Sequence, residues 1–175
     1  VSMSGTNLDG RYQLNSVIGK GGNGTIYRAH DNQMDREVAI KLMKSEGKDS
    51  PRLRKRFRTE ALAAGRIRHP NVITIFDIAV PTGAAEVYMV MELLEGHDLH
   101  TEIYQMGRLD PERALKLFIP CLRALEKCHE QGVVHKDLKP SNLFLRERGE
   151  TDESMCLLDF GVARLIEGEK ITRVG

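Results

Sequence analysis

His135-Lys136-Asp137-Leu138-Lys139-Pro140-Ser141-Asn142 is a polar stretch set between apolar runs, Val133-Val134 before it and Leu143-Phe144-Leu145 after it. All of its side chains except Leu138 and Pro140 can donate, accept or carry charge. A polar knot between hydrophobic flanks predicts a loop pinned between buried elements. Pro140 removes one backbone donor and steers Lys139 away from helix. Charged groups held in such a place must be paired, metal-bound or aimed at a ligand. Standing alone, the stretch would read as a satisfied polar loop, so its neighbours decide.

The 175 residues, 41% of them hydrophobic, can bury a sizeable core in one or two compact units. With 29% charged residues and a net charge of +1 there is no overall basic field, and nucleic acid is not an expected partner. Cys121, Cys128 and Cys156 lack metal-ligand spacing and read as reduced thiols of a cytoplasmic protein. Residues 1–10 read as a flexible polar tail without the apolar run of a signal peptide. No stretch approaches the roughly 20 apolar residues that cross a bilayer.

Tyr12 to Ile18 alternates as a strand does. It leads into Gly19-Lys20-Gly21-Gly22-Asn23-Gly24, followed by the strand-like Thr25-Ile26-Tyr27-Arg28. Glycines let a backbone approach phosphate oxygens and offer them N–H groups, although a glycine-rich hairpin turn has the same appearance. A dinucleotide site needs a helix after its glycines, and here a strand follows. Glu37 to Met43 is an apolar strand with Lys41 in its middle, a residue that is usually solvent-facing or at an edge. Ser50 and Pro51 open a helix to Ile67, with Phe57, Glu60, Ala61, Ala64 and Ile67 on one face. Glu60 therefore lies on the packed side. Arg52, Arg54, Lys55, Arg56 and Arg58 read as the solvated side of the same helix.

Val72 to Ala79 and Glu86 to Leu94 predict an antiparallel strand pair joined at Pro81-Thr82-Gly83. Gly96 then loosens the chain, and a boundary between two lobes is expected at about Leu94 to Gly96. Asp110-Pro111-Glu112 opens a helix ending at Gly132, striped by Leu115, Phe118, Leu122 and Leu125 and kinked at Pro120. Leu143 to Leu145 and Cys156 to Leu158 are short strands, with Arg146 to Ser154 a charged surface connection. Asp159-Phe160-Gly161 follows: an acid at a strand end, an aromatic to bury, a glycine for flexibility.

The ordered set of glycine-rich loop, Val38-Ala39-Ile40-Lys41, Glu60, the His135–Asn142 stretch and Asp159-Phe160-Gly161 resembles the eukaryotic-like (Hanks-type) serine/threonine protein kinases. The Gly19–Gly24 and His69-Pro70-Asn71-Val72 segments are similar to those of the bacterial members. The resemblance implies an α+β, two-lobe fold: residues 11–94 a small lobe of antiparallel sheet plus one helix, residues 95–175 part of a mainly helical large lobe. It implies ATP and Mg²⁺ as cofactors and a protein bearing a Ser/Thr hydroxyl as substrate. Gly19, Gly21, Gly22 and Gly24 would cover the phosphates. Ile18, Ile26, Ala39 and Phe144 would sandwich adenine, with Met91 guarding the back of the pocket and Glu92 to Leu94 serving as the hinge. Lys41 would hold the α/β-phosphates with Glu60 as its ion-pair partner. Asp159 and Asn142 would bind Mg²⁺, Asp137 would accept the hydroxyl proton, and Lys139 would steady the γ-phosphoryl group.

Two departures stand out. Lys136 occupies a position where most active members carry arginine; lysine keeps the charge without the two-pronged grip on a phosphate, which bears on any role of Thr172 as a phosphate acceptor. The match also runs out within the activation loop, so an incomplete large lobe, a partly uncovered Leu115–Leu125 stripe and a weakly active or inactive fragment are expected. Two rival readings remain: a non-catalytic nucleotide-binding or scaffolding fragment, and a small-molecule phosphotransferase of the aminoglycoside type. The Leu138-Lys139-Pro140 insertion and the Phe-Gly after Asp159 favour protein substrates over the second.

Overall fold

The computed structural model describes residues 3–21, 24–43, 58, 61–62, 64–80, 87–148 and 152–159. β-branched and aromatic residues alternate through the first half of the chain, and they build a six-stranded antiparallel sheet. Its strands are β1 (Asn7–Leu8), β2 (Tyr12–Gly21), β3 (Gly24–Asp31), β4 (Arg36–Met43), β5 (Ile75–Ala79) and β6 (Tyr88–Glu92), in the order β1-β2-β3-β4-β6-β5. Val38, Ile40 and Leu42 of β4 point to one face, where they pack with Tyr12, Tyr27 and Val90. Ala39, Lys41 and Met43 point to the other, as a period of two requires.

Met3 to Gly10, expected as part of a flexible tail, instead add to this sheet. Leu8 is buried, Asn7 pairs with Gln13, and the Gly5 N–H donates to Leu14 O at 2.7 Å. The predicted Val72–Ala79 strand begins later, at Ile75. Val72 makes an isolated parallel bridge to Leu157, and Asn71 Nδ2 donates to Met155 O at 2.7 Å. Arg58, Ala61, Leu62, Ala64 and Gly65 are helical, with Ala61 and Ala64 buried, as the spacing predicts. Ser50, Pro51, Phe57, Glu60, Pro81-Thr82-Gly83 and Thr172 lie outside the described residues.

Beyond β6 the chain forms β7 (Gly96–Asp98), α1 (Leu99–Met106), α2 (Pro111–Glu130), a 3₁₀ turn (Pro140–Asn142), β8 (Leu143–Arg148) and β9 (Asp152–Leu157), the three strands making a second sheet in the order β7-β8-β9. Asp98 caps α1 through Thr101 N, and Asp110 caps α2 through Glu112 N and Arg113 N, with Pro111 at the first turn. The helical backbone of α2 continues through Pro120.

The Leu115–Leu125 stripe is partly uncovered, as expected, and one expectation, the surface connection at 146–154, is corrected. The face of α2 that packs inward carries Leu117, Cys121, Ala124 and Cys128, while Leu115 and Leu122 of the expected stripe are 61% and 60% exposed; Phe118 and Leu125 are partly buried. Small side chains let α2 approach β9 closely, near enough for the Cys121 thiol to donate to Met155 O at 3.4 Å. Burial pushes that thiol up to about 12, so it stays protonated. The span 146–154, expected as a surface connection, is largely a strand hairpin in which Arg146 pairs with Ser154 and Arg148 with Asp152. Arg146 is buried because its guanidinium finds Glu92 Oε1 at 2.9 Å, Cys156 Sγ at 3.0 Å and Pro70 O at 3.4 Å. One core joins the two halves: Met43, Ala64 and Met89 pack in the same cluster as Leu117, Leu143 and Met155.

Candidate active site

Lys41 is the first piece. β4 is an interior strand, with Lys41 opposite Ile26 on one side and Met89 on the other, and the residue is 6% exposed. The usual fate of a strand lysine, at an edge or in solvent, does not apply. A buried ammonium needs a counter-charge. It has one in Asp159, whose Oδ2 lies 2.6 Å from Lys41 Nζ. Asp159 follows β9 and adopts a left-handed backbone, φ 49°, a region a non-glycine residue enters at a cost. Lys136 in the facing loop has φ 62°.

The loop that carries Asp137 is fixed to the same strand end. Buried His135 donates from Nε2 to Leu158 O at 2.8 Å, and the Asp137 N–H donates to His135 O at 2.9 Å, with His135 Nδ1 3.4 Å away. Burial holds the His135 pKa below the usual imidazole value, opposed by the Leu158 carbonyl. Asn142, also buried, donates from Nδ2 to Asp137 O at 2.7 Å and to Asp137 Oδ2 at 3.0 Å; its backbone carbonyl accepts from Leu158 N at 2.9 Å. Lys139 Nζ stands 2.8 Å from Asp137 Oδ2. Asp137, Lys139 and Asn142 thus form one polar group, and Lys41 with Asp159, 118 residues apart, another; Leu158, the residue before Asp159, ties the two through its bonds to Asn142 and His135. Glu60, Gly22, Phe160 and Gly161 lie outside the described residues.

Beside this polar end is an apolar one. Ala39, Met91 and Cys156 form a buried cluster with Ile73, and Ile26, Leu93, Leu94, Phe144 and Leu158 pack against it. Of the expected adenine contacts, Ile26, Ala39, Phe144, Met91 and Leu94 come together. Ile18 does not: it sits at an irregularity between Val17 and Gly19, half exposed and outside the cluster. Glu92 is occupied structurally, its N–H donating to Thr74 O at 3.0 Å and its Oε1 accepting from Thr74 N at 2.7 Å and from Arg146. His135, Leu158 and Cys156 were not singled out from sequence. Their signal was available: His135 opens the polar stretch, and Cys156 and Leu158 share one face of the strand running into Asp159.

The glycine-rich hairpin divides in two. A Cβ on Gly24 would sit 2.1 Å from Leu42 O, so packing of β3 on β4 requires glycine there. A Cβ on Gly21 would meet nothing within 4 Å, and one on Gly19 would make only ordinary contact with Ile26 at 3.5 Å. The strands do not demand glycine at 19 and 21.

Residues 12–175 match the family model described as the protein kinase domain. The chain belongs to the protein kinase domain family. Among curated relatives of this kinase domain, a probable serine/threonine-protein kinase of Streptomyces coelicolor is 35% identical over 173 residues, covering 94% of the chain and 24% of the relative. The serine/threonine-protein kinase PknA of Mycobacterium tuberculosis is 34% identical over 174 residues, covering 98% and 39%. The chain therefore spans roughly a quarter to two fifths of the length of these relatives. Crystal structures of the M. tuberculosis PknI kinase domain share the fold, one with a TM-score of 0.80 at 23% identity, covering 93% of this chain and 64% of that one. The kinase domain's small-lobe sheet and incomplete helical part agree with the fold class expected from sequence. No helix among the described residues is long and apolar enough to cross a membrane.

Proposed function

We propose that the chain is the nucleotide-binding and catalytic part of an ATP-dependent protein serine/threonine kinase. The observation that carries this reading is the 2.6 Å contact between Lys41, a buried strand lysine, and Asp159, beside a loop in which Asn142 and Lys139 both hold Asp137 Oδ2. Adenine enters the apolar cluster of Ala39, Met91, Leu94 and Phe144, and the phosphates extend beneath Gly19 and Gly21 toward Lys41. The backbone accounts for that direction: glycine at 19 and 21 has no structural cause in the strands, and close approach of phosphate supplies one.

Asp159 and Asn142 bring a carboxylate and an amide oxygen, donors that suit Mg²⁺. An ion held by these two residues would draw its other ligands from nucleotide and water. Mg²⁺, when bound, neutralises charge developing on the transferred group. Lys41 exchanges its contact with Asp159 for the α/β-phosphates, with Glu60 assigned as its family partner. Asp137 orients the substrate hydroxyl and accepts its proton as the new O–P bond forms and the bond to ADP breaks. Lys139, at the same carboxylate, neutralises the γ-phosphoryl group. We place the small lobe at residues 11–94, the partial large lobe at 95–175, and the site of action in the cytoplasm, where ATP is found.

The test is transfer of labelled γ-phosphoryl from ATP by the protein, continued to the full length of its relatives. Acid-stable phosphoserine or phosphothreonine on a protein acceptor is expected. Label on an aminoglycoside and none on protein would overturn the proposal, as would nucleotide binding without transfer.

A further inference from the structure

Glu102 is 6% exposed, on a helix of only eight residues whose Ile103, Tyr104 and Met106 are exposed. Carboxylates are among the residues least often buried without partners. Glu102 has two. Its Oε2 lies 2.6 Å from His97 Nε2, and its Oε1 accepts from Arg113 Nη1. Arg113 then forks onto Glu153 of β9, at 2.8 and 2.5 Å. The pairing with His97 first, and with Arg113 second, holds the Glu102 carboxyl below its ordinary range, so the group is ionised at neutral pH.

What this clamp holds is β7. That strand has three residues and pairs with β8 so that Asp98 stands opposite Phe144, which packs against the apolar cluster of Ala39, Met91 and Cys156. Gly96 cannot carry a side chain, since a Cβ would fall 2.0 Å from Leu145 O. The Asp98 carboxylate is taken up by capping Thr101 N at 2.7 Å. His97 is thus the β7 side chain that reaches from the strand to a buried partner.

We infer that Glu102 is a positioning residue for the nucleoside end of the site: by gripping His97 it fixes β7 against Phe144 and so sets the width of the adenine–ribose pocket. This rests on the nucleotide reading above. The phosphate end is held by other means, Lys41 on β4 and Asp137, Asn142 and Asp159 around His135. Loosening the clamp therefore affects the nucleoside and leaves the phosphates alone, a division that a general loss of stability does not produce.

The experiment compares two probes by calorimetry, adenosine for the nucleoside end and tripolyphosphate for the phosphate end, well below the melting temperature of every variant. In Glu102→Ala the adenosine Kd is expected to rise roughly 5- to 10-fold, with a smaller rise in Glu102→Gln, which retains an acceptor oxygen. Tripolyphosphate affinity should hold within about twofold, and in the full-length protein KM for ATP should rise while kcat holds. Glu153→Gln, which leaves the Glu102–His97 contact in place, should change neither probe. If Glu102→Ala does not fold, His97→Gln serves as the second variant, its side chain being partly exposed. An unchanged adenosine Kd, or equal weakening of both probes, overturns the inference while leaving the nucleotide reading intact. A wild-type protein that binds neither probe overturns both.

Discussion

Two ion pairs on opposite faces of the first sheet, Arg11–Asp31 and Lys41–Asp159, are built differently. On the outer face, Asp31 is fully buried and its carboxylate is saturated: Arg11 donates from Nε and Nη2 at 2.8 Å each, and the N–H groups of Gln33 and Met34 approach Oδ1. On the inner face, Asp159 offers one oxygen to Lys41, remains partly exposed, and sits in a left-handed backbone. The first pair is a closed structure in which each acceptor has its donor. The second combines a buried cation, backbone strain and access from outside, the condition of groups that exchange one partner for another. Burial of charge alone does not tell a site from a staple; saturation does.

The largest effect that would break this contrast is on phosphoryl transfer. Lys41→Met or Asp159→Ala should lower the rate about 10³-fold or more, at least as much as Asp137→Ala, because electrostatic stabilisation outweighs general-base help here. Arg11→Met should leave the rate at the protein's permissive temperature near wild type. Equal losses from both pairs, read as label transferred at saturating ATP, would erase the distinction. Next in size is stability. Asp31→Asn breaks a buried, charge-assisted pair and should cost on the order of 3 kcal/mol in urea unfolding, with ATP affinity retained.

The glycine-rich hairpin repeats the contrast on a smaller scale. Gly24→Ala, pressed against Leu42 O, should destabilise by about 2–3 kcal/mol. Gly21→Ala has open space and should stay within about 0.5 kcal/mol of wild type while weakening ATP binding severalfold. Thermal melts and nucleotide titrations of the two variants check this together.

The smallest effect is on acid stability. The fork from Arg11, aided by the Gln33 and Met34 N–H groups, holds the Asp31 carboxyl at about 2. A depressed carboxylate stabilises the fold above its unfolded value of about 3.9, and that contribution is lost as pH falls toward 2. Acid unfolding followed by circular dichroism should therefore steepen below about pH 4 in the wild type, and less so in Asp31→Asn.

The sequence made the residues of the inner site legible but not their pairing: it gave Lys41 the partner Glu60, which lies outside the described residues, and the contact found is with Asp159; the outer pair stayed hidden. Lys41, Asp137, Asn142 and Asp159 lie in short motifs whose order along the chain implies their convergence. The partnership of Asp31 with Arg11, of Arg146 with Glu92, and of Glu102 with His97 and Arg113 depends on which strands and helices come side by side, and no local spacing encodes it. Charge itself misled at Arg146, which looked like surface and is buried by its partners. The Leu115–Leu125 stripe is partly uncovered as expected, but the packed face beside it stayed hidden for a related reason: Cys121, Ala124 and Cys128 are small, and it is their size that lets the helix approach β9. Ile18 matched its motif position and stands at the β2 irregularity, half exposed and apart from the buried Ala39–Met91 cluster.

The most direct test of the inner site is calorimetric titration of ATP with and without Mg²⁺, on the wild type and on Asp159→Asn. The wild type should bind ATP more tightly with Mg²⁺ present, and that enhancement should vanish in the variant while Mg²⁺-free affinity persists. An enhancement of the same size in both proteins would contradict the assignment of Asp159 to the ion.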